Sequence, residues 1–394
     1  MGREGEVVQQ LVPQFERTQP GVRVEVQTLP WSAAHEKLLT AFVGKSMPDV
    51  FQLGNTWVPE LATIGAIAPI DAELAGSTTV AAGDFFPGIL DTNVLDGHTY
   101  ALPWYVDTRL LFYRRDLLAA AGLPVPRSWQ EWRAAMERIA GLAPGRYAVL
   151  LPLSEWQPLV ALALQGGDLL GPELLHGNFR GEAFRRALTF YVDLFRSGLA
   201  PSAGEAQLAN LYQEFAAGRF AFFISGPWNL GELRRRLPAE LQDAWAVAPL
   251  PSPNGEAPGT SVAGGASLAI GATSSKRDLA WKLIEFLAGT EPQIELYRLT
   301  GDLPARQSAW HAAGLKEDPR AGAFWRQLEH VRSTPKIPEW ERIAAKIMQH
   351  TESAVRGRSI EETLANLDAD VDAILEKRRA LVERGGFSPE PMPR

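Results

Sequence analysis

Helical and strand-like hydrophobic patterns alternate along almost the whole chain, and this order restricts the fold more than any other feature. Apolar residues recur at helical spacing in residues 7–15 and 34–43. Between these helices, valines alternate with charged side chains over residues 22–26, which predicts a strand at residues 22–29. After the second helix, residues 50–53 form a short apolar strand. Strands that alternate with helices across short connections predict α/β units with mainly parallel sheets.

The same signals continue toward the C-terminal end. Short strands are predicted at residues 220–224, 245–248 and 267–270. Ser128 and Ser359 each stand three residues before a glutamate, which is a capping box at the start of a helix. The chain has 394 residues, enough for two lobes, yet no low-complexity linker separates them. We therefore expect lobes that are connected by several crossing segments.

Composition argues against several classes of function. The net charge is −7 and there is no basic block, which argues against nucleic acid as a partner. The chain has no cysteine, and its six histidines do not stand at metal-ligand spacing, so we predict neither a metal site nor a cofactor. No apolar run is long enough to span a membrane, and the polar first residues do not resemble a signal peptide.

Sequence motifs of common enzymes are also missing. The chain contains no Gly-x-Ser-x-Gly elbow. Gly264-Gly265 belongs neither to a phosphate-binding loop nor to a dinucleotide-binding fingerprint. Carboxylates are abundant, so a glycosidase pair stays open as an alternative. We predict a binding protein rather than an enzyme.

Four tryptophans follow predicted strands, namely Trp31, Trp57, Trp104 and Trp228. In open α/β sheets, ligands bind at the carboxyl ends of the strands, where such loops can meet. Aromatic rings fit the apolar face of a sugar, and carboxylate or amide groups fit its hydroxyls. Core packing is the commoner role for a single tryptophan. Four at strand ends nevertheless favour a carbohydrate cleft.

Six segments occur in a characteristic order: PDVFQ at 48–52, GHTYALP at 97–103, LFYRRDL at 111–117, GRFAFFISGPW at 218–228, GGASLAI at 264–270 and AWKLIEFL at 280–287. Together they resemble the family-1 extracellular solute-binding proteins of ABC sugar importers, the maltose-binding-protein-like group. Each segment is weakly specific on its own, whereas six in the same order are a strong signal, and the resemblance extends over nearly the whole chain.

The resemblance implies an α/β, two-lobed periplasmic-binding-protein-like fold with a hinge between the lobes and the ligand cleft at the carboxyl ends of the strands. Lobe one would comprise residues 1–107 and 266–310, and lobe two residues 108–265 and 311–384. The proline-containing residues 385–394 are predicted to be a disordered tail.

The resemblance also implies a set of sugar-contacting residues. Asp107 matches an acidic residue that contacts sugar hydroxyls, and Trp228 matches an aromatic residue that stacks on the ring. Trp57 and Asn55 match the contacts of an earlier loop, and Glu4 matches a polar contact at the head of the first helix. The complete predicted site comprises Glu4, Trp31, Asn55, Trp57, Trp104, Asp107, Glu155, Trp156, Trp228, Gly264, Gly265, Arg306 and Trp340.

Some of these assignments have a structural alternative. A carboxylate at Glu4 also stabilises a helix N-terminus. Arg306 is either a bidentate hydroxyl ligand or an ordinary surface arginine, and Glu155 differs in register from the family pattern. Gly264 and Gly265 would allow the backbone to approach the sugar.

The function implied is the extracytoplasmic ligand-binding subunit of an ABC sugar importer. It would capture a di- or oligosaccharide of the maltose or trehalose type by closure of the lobes and deliver it to the membrane permease subunits. We expect a monomer that is periplasmic or membrane-associated on the outer side. The alternatives are a glycerophosphodiester or sugar-phosphate binding protein of the same fold, which needs cationic groups or helix N-termini at the cleft, and a carbohydrate-active enzyme.

One departure from the family concerns the first strand. Relatives carry an export signal and an apolar strand before the segment that begins here with Met1. We interpret this as a start assigned too far downstream, and the alternative is a shortened cytoplasmic relative. Without that strand, backbone groups of a neighbouring strand lose partners, at about 1–3 kcal/mol for each buried group. We therefore expect a chain that starts at Met1 to be poorly soluble or low-melting, and the upstream DNA to encode the strand and a signal peptide.

Overall fold

The structure is a computed structural model, and it describes residues 1–201, 211–256 and 258–384. The predicted disordered tail, residues 385–394, lies outside the described residues. No helix within the described ranges has the length and apolar character needed to cross a membrane. The chain divides into two compact units: unit 1 comprises Met1–Asp107, Pro227–Gly231 and Ala263–Ala321, and unit 2 comprises Thr108–Gly226, Glu232–Val262 and Gly322–Arg394.

The two predicted N-terminal caps form at the start of their helices. The Ser128 side chain accepts from the Glu131 backbone at 3.1 Å, and the Glu131 side chain accepts from the Ser128 backbone at 3.2 Å. Ser359 accepts from the N–H of Glu362. The helices are α1 (Gly2–Thr18), α2 (Trp31–Val43), α3 (Val58–Thr63), α4 (Asp71–Gly76), α5 (Pro87–Asp91), α6 (Arg115–Ala120), α7 (Trp129–Ala140), α8 (Gln157–Leu164), α9 (Glu182–Arg196), α10 (Leu211–Ala216), α11 (Trp228–Arg236), α12 (Arg277–Leu287), α13 (Thr290–Thr300), α14 (Gln307–Ala312), α15 (Ala321–Leu328), α16 (Trp340–Val355) and α17 (Ile360–Glu383).

The strands are short, and those predicted at residues 50–53, 220–224, 245–248 and 267–270 are all present with small shifts of their ends. The strands are β1 (Val50–Gly54), β2 (Val94–Leu95), β3 (His98–Thr99), β4 (Leu102–Asp107), β5 (Leu110–Arg114), β6 (Val149–Leu150), β7 (Phe222–Ser225), β8 (Trp245–Ala248), β9 (Ser261–Val262), β10 (Gly264–Ile270), β11 (Leu303–Pro304) and β12 (Val331–Arg332).

Unit 1 is built on a four-stranded sheet in the order β1-β10-β4-β11. Each neighbouring pair in this sheet is antiparallel. α2 and α3 cover it with apolar side chains, and the resulting core includes the fully buried Leu53 and Leu61 together with Leu38. This core anchors the loop after β1 and the start of α2, so both segments are held by buried apolar contacts.

Unit 2 contains a second four-stranded sheet, in the order β6-β7-β5-β8. Phe112 on β5 stacks on Phe223 of β7, with ring centroids 4.7 Å apart. α8 is apolar on all sides, and its residues 158–164 are all buried. A large core joins α7, α8, α9, α16 and α17 to this sheet.

The prediction of mainly parallel sheets is wrong. Among the strands that the structure describes, only β6 with β7 and β9 with β12 pair in parallel. β1 and β4 do run in the same direction, as strand–helix alternation predicts, but β10 is inserted between them from a distant part of the chain. Local patterns specify one strand at a time, whereas the packing of the whole unit selects its neighbour.

The prediction of a strand at residues 22–29 is also wrong. Among the strands that the structure describes, none forms a ladder with this segment, although its valines are half-buried while Arg23 and Glu25 are exposed, as the alternation requires. The N–H of Val24 donates instead to the Glu16 carboxylate at 2.8 Å. Alternation reports which side of a segment is covered, and it does not report whether a partner strand is present.

The division into units differs from the predicted lobes at three places. Residues 227–231, 263–265 and 311–321 belong to unit 1, whereas the sequence placed all three in lobe two. Gly264 pairs with Asp107 in the ladder between β10 and β4, so a boundary after residue 265 would cut a continuous strand. Strand pairing therefore sets this boundary.

Two glycines allow β10 to approach β4 closely. Gly265 has a φ of +155°, and a Cβ there would lie 2.3 Å from the Tyr105 carbonyl oxygen. A Cβ on Gly264 would lie 2.7 Å from the carbonyl oxygen of Asp107. No other residue fits without moving a strand backbone. These glycines admit the backbone of β4, a structural role that the sequence did not predict.

We predict that Gly265→Ala lowers the free energy of unfolding by about 2–4 kcal/mol, because its Cβ would collide with a strand carbonyl that cannot move freely. Gly76→Ala, at the end of α4, is the matched control, since nothing lies within 4 Å of a Cβ there. We expect the control to change stability by less than about 0.5 kcal/mol. Urea unfolding measures both variants, and equal stabilities would contradict the role given to Gly265.

Candidate functional site

Glu4, in the first turn of α1, lies in a buried polar cluster of unit 1. Its side chain is only 8% exposed although it carries a carboxyl group. Tyr105 on β4 donates its hydroxyl to Glu4 Oε1 at 3.1 Å and accepts from Gln52 Nε2 at 3.0 Å. Within the described residues, Glu4 Oε2 is buried without a hydrogen-bond partner, and the charge of Glu4 acts on the nearby carboxyl group of Asp302. The sheet and α1 thus hold the Glu4 carboxyl in one orientation.

Asp302 completes this cluster, and its side chain is 2% exposed. Burial raises the pKa of the Asp302 carboxyl well above its usual range, and the negative charge of Glu4 raises it further. A protonated Asp302 carboxyl has a hydrogen that it can donate to a neighbouring acceptor. Sequence reasoning missed Asp302. The available signal was an acidic residue between Gly301 and the apolar strand β11.

Two tryptophans of unit 1 lie beside the polar cluster. Trp31 begins α2 and is half-buried, and its ring meets the edge of Trp57 with centroids 5.6 Å apart. Trp57 lies in a short 3₁₀ turn after β1 and is 9% exposed. A Cβ on Gly2 would lie 2.9 Å from Glu4 Oε2 and 3.1 Å from Trp31 Cδ1. A carboxyl oxygen and an indole edge therefore approach the same point, an arrangement that can contact a hydroxyl and an apolar surface together.

Asn55 supports this loop from the interior. It is 3% exposed, its Nδ2 donates to Thr92 Oγ1 at 2.7 Å, and its Oδ1 accepts from Ser267 Oγ at 2.8 Å. Both ends of the amide are used within unit 1. We therefore reassign Asn55 from ligand contact to support of the turn that carries Trp57.

Trp104 and Arg306 belong to the interior of unit 1. Trp104 lies within β4 rather than beyond it and is 2% exposed, so its predicted position in a strand-end loop is wrong. Arg306 donates from Nε to Asp84 Oδ2 at 2.7 Å and from Nη1 to the Ala288 carbonyl at 3.3 Å. A buried guanidinium requires such partners. These contacts give Arg306 a structural role and remove it from our candidate site.

Asp107 and Trp228 lie next to the acidic cluster. Asp107 ends β4 and is half-buried, and its charge contributes to the raised pKa of Asp302. Trp228 is the half-buried first residue of α11. Its carbonyl oxygen is 3.5 Å from the position of a Cβ on Gly301, which directly precedes Asp302 and has a φ of +91°. The absence of a side chain at Gly301 allows the start of α11 to pack here.

The remaining predicted residues lie in unit 2. Trp156, just before α8, is half-buried and packs edge-on against Trp340 with centroids 5.2 Å apart. Trp340 is 1% exposed and belongs to the core, so it supports Trp156 rather than offering a free face. Arg109 is 3% exposed, and its Nη2 lies 3.8 Å from Glu155 Oε2. Sequence reasoning missed Arg109, whose signal was a cation two residues after Asp107.

The structure thus groups the predicted residues by unit. Glu4, Trp31, Trp57, Asp107 and Trp228 are in unit 1, and Glu155, Trp156 and Trp340 are in unit 2. Within the part of the chain that the structure describes, no group of three or more His, Cys, Asp or Glu side chains could hold a metal ion. The candidate residues can therefore bind a ligand by aromatic stacking and by hydrogen bonds to carboxyl groups.

Several known proteins are similar to this chain in sequence and in fold. A family model for bacterial extracellular solute-binding proteins matches residues 2–294. The structure is similar to that of the sugar-binding protein MalE from Xanthomonas citri, with 46% identity, 98% of each chain covered and a TM-score of 0.91. It is also similar to the GacH receptor of Streptomyces glaucescens, whose structures include a complex with acarbose; identity is 26%, coverage 95% of this chain and 96% of that chain, and the TM-score 0.85.

Among curated proteins, the diacetylchitobiose binding protein DasA of Streptomyces coelicolor is 26% identical over 378 residues, which are 94% of this chain and 86% of the relative. Together with the structural matches, this confirms the resemblance seen in the sequence. The predicted two-lobed α/β fold class is confirmed by the same similarities.

Asp302 gives the stability of the protein a pH dependence of known sign. The pKa of Asp302 in the folded chain is raised above the unfolded value of about 4. At a pH between the unfolded and the folded pKa, the folded chain therefore binds a proton that the unfolded chain has lost. The resulting stabilisation is complete below about pH 4 and is lost as the pH rises through the raised folded-state pKa, by up to about 1.4 kcal/mol per pH unit.

We predict that Asp302→Asn removes this loss, because the amide does not titrate and still offers a donor to Glu4. Urea unfolding of both proteins over the range from about pH 5 to 8 tests this. The variant should become more stable relative to the wild type as the pH increases. Stability curves that stay parallel would show that Asp302 is ionised in the folded protein.

Proposed function

The chain belongs to the family of bacterial extracellular solute-binding proteins, and we propose that within this family it is the extracytoplasmic sugar-binding subunit of an ABC importer. Its ligand is a neutral di- or oligosaccharide of the maltose or trehalose kind. It acts as a monomer that delivers this sugar to the membrane permease subunits. The observation that carries the proposal is the convergence of the Trp31 ring and the Glu4 carboxyl beside Gly2.

This convergence fits the two surfaces of a sugar ring. The C–H face of a pyranose is apolar and packs on an indole, whereas its hydroxyls need acceptors at its edge. Trp31 and Trp228 are half-buried in unit 1 and Trp156 is half-buried in unit 2, so their rings keep some accessible surface. Trp156 directly follows Glu155, the edge of the Trp31 ring lies beside the Glu4 carboxyl, and the Trp228 carbonyl lies beside Gly301, which precedes Asp302. The sugar-binding name of the Xanthomonas citri relative supports this choice of ligand.

A phosphate-containing ligand is the runner-up, and the charge of unit 1 argues against it. Phosphate recognition uses arginine, lysine or helix N-termini. The candidate polar residues of unit 1 are instead the acids Glu4 and Asp107, and their negative charge would repel an anion.

A catalytic role has less support than a binding role. A glycosidase needs an acid and a second carboxylate on the two sides of a scissile bond. Asp302 is an acid with a raised pKa, but it is fully buried and so is not accessible to a scissile bond. The curated relative from Streptomyces coelicolor is named as a binding protein. We therefore propose capture without turnover, so a nitrophenyl glycoside should stay intact in the presence of the protein.

The capture step that we propose is closure of the two lobes, the mechanism that the family resemblance implies. A ligand shifts such an equilibrium only through its higher affinity for the closed form. The closed form is then the species that the permease recognises.

A thermal-shift screen against neutral disaccharides, maltodextrins, glycerophosphocholine and glucose 1-phosphate tests the proposed ligand class. A sugar at 100 times its Kd should stabilise the protein by about 2.7 kcal/mol. Stabilisation by the phosphate compounds alone would favour the runner-up. The absence of a shift with every compound would contradict the proposed function.

We predict that Trp228→Ala weakens sugar binding by roughly 1.5–3 kcal/mol, the scale of a lost buried aromatic contact. Isothermal titration calorimetry measures the change. Tyr147→Ala removes an aromatic ring that is 39% exposed in unit 2 and lies outside the candidate set, so it serves as the control and should leave the affinity unchanged. A folded Trp228→Ala protein with wild-type affinity would remove Trp228 from the site.

We predict that Asp107→Asn weakens sugar binding without lowering the melting temperature. The amide keeps the shape of the side chain, but it loses the charge that strengthens bonds to sugar hydroxyls. Asp96→Asn, in the exposed turn between β2 and β3, controls for the same change of charge in unit 1. If Asp107→Asn melts much lower and binds normally, Asp107 has a structural role.

A further inference from the structure

His35 on α2 contacts both an aromatic ring and an acid. Its imidazole lies against the Trp57 ring, with centroids 5.0 Å apart and planes inclined by 40°. Its Nε2 lies 2.6 Å from Oε2 of Glu60 on α3. The two side chains are 23% and 25% exposed, so the pair is partly shielded from water. Neither residue was singled out by the sequence.

These contacts enclose Trp57 on several sides. A Cβ on Gly54 would lie 3.4 Å from the indole, so the ring rests on the end of β1. Trp31 meets it at 5.6 Å, and His35 packs at 5.0 Å. Trp57 is therefore the link between the imidazole and Trp31, whose own ring edge lies beside the Glu4 carboxyl.

We propose that His35 and Glu60 are positioning residues for the ligand site. Glu60 fixes the imidazole, the imidazole fixes the plane of Trp57, and Trp57 fixes Trp31, the ring that meets the sugar. This inference rests on the proposed function, because it assigns a ligand contact to Trp31.

Protonation of the imidazole strengthens both of its contacts. It adds a charge to the hydrogen bond with Glu60 and an attraction between a cation and the Trp57 ring. Histidine changes its charge between about pH 5 and 8, so the affinity for a neutral sugar becomes pH-dependent and increases toward the acidic end.

Other charged groups lie around this cluster. α2 itself carries Glu36 and Lys37, which are exposed. From α1, the Glu4 carboxyl lies near Trp31, and Met1, with its amino group, packs in the same core as Trp57. Glu60 is in hydrogen-bond contact with the imidazole, so its replacement is the second test of the same pair.

The first experiment needs no ligand. A protonated imidazole quenches the fluorescence of an adjacent indole, so emission of the wild-type chain should fall in one step as the pH decreases from about 8 to 5. The step should disappear in His35→Gln and in Trp57→Phe. His98→Gln is the matched control, because His98 forms a comparable pair with Asp71 at 2.9 Å and has no ring contact within the described residues. A step that persists in His35→Gln would overturn the inference.

The second experiment measures sugar affinity by calorimetry at several pH values. His35→Gln keeps a donor for Glu60 but lacks the ring, and we expect its Kd to increase roughly three- to tenfold and its pH dependence to flatten. Glu60→Gln should flatten the pH dependence as well. In a protein that already carries Trp57→Phe, His35→Gln should increase the Kd by less than about twofold, because the effect of His35 on the ligand passes through the indole.

The possible failures can be told apart. If the wild-type chain binds no sugar, the proposed function fails, and the ligand-positioning role fails with it. If the wild type binds sugar and a folded His35→Gln protein binds equally well at every pH, only the positioning role is wrong. Equal melting temperatures of His35→Gln and His98→Gln would show that the comparison is between folded proteins.

Discussion

The ladder between β10 and β4 is the constraint on which the rest of unit 1 depends. β10 also pairs with β1, so one strand fixes the relative positions of the loop after β1, the end of β4 and the segment that precedes α12. Gly264 and Gly265 make this pairing possible, because each would otherwise place a Cβ within 3 Å of a backbone carbonyl of β4. The candidate residues Tyr105 and Asp107 occupy β4 itself. Their positions are therefore as rigid as the sheet.

The site depends next on how two buried acids coexist. Glu4 and Asp302 come from opposite ends of unit 1 in the sequence. Burial, and then the charge of Glu4, raise the pKa of Asp302 and favour its protonated form. Tyr105 and Gln52 extend the network into the sheet. A ligand that meets Glu4 thus meets a carboxyl whose orientation was fixed before binding, which reduces the entropy lost on association.

Many residues of the predicted set support the site rather than form its surface. Asn55 holds a turn, Trp340 backs Trp156, and Arg306 neutralises Asp84 in the interior. A sequence motif marks such residues as readily as it marks ligand contacts, because both are required for the same local arrangement. Burial separates the two classes. Trp31 and Trp228 keep an accessible part of the ring, whereas Trp104 does not.

The sequence by itself determined several of the elements and the family. Local signals were sufficient for the capping box at Ser128, for β8 and for most of α2, because helix caps and hydrophobic periodicity involve residues that are close in the chain. Only the tertiary structure decided which strands are neighbours and which side chains are buried. The insertion of β10 between β1 and β4, the contact of Glu4 with Asp302 and the packing of His35 on Trp57 join residues that are distant in sequence or lie on separate elements. No local pattern encodes such contacts, because they form only when the whole unit packs.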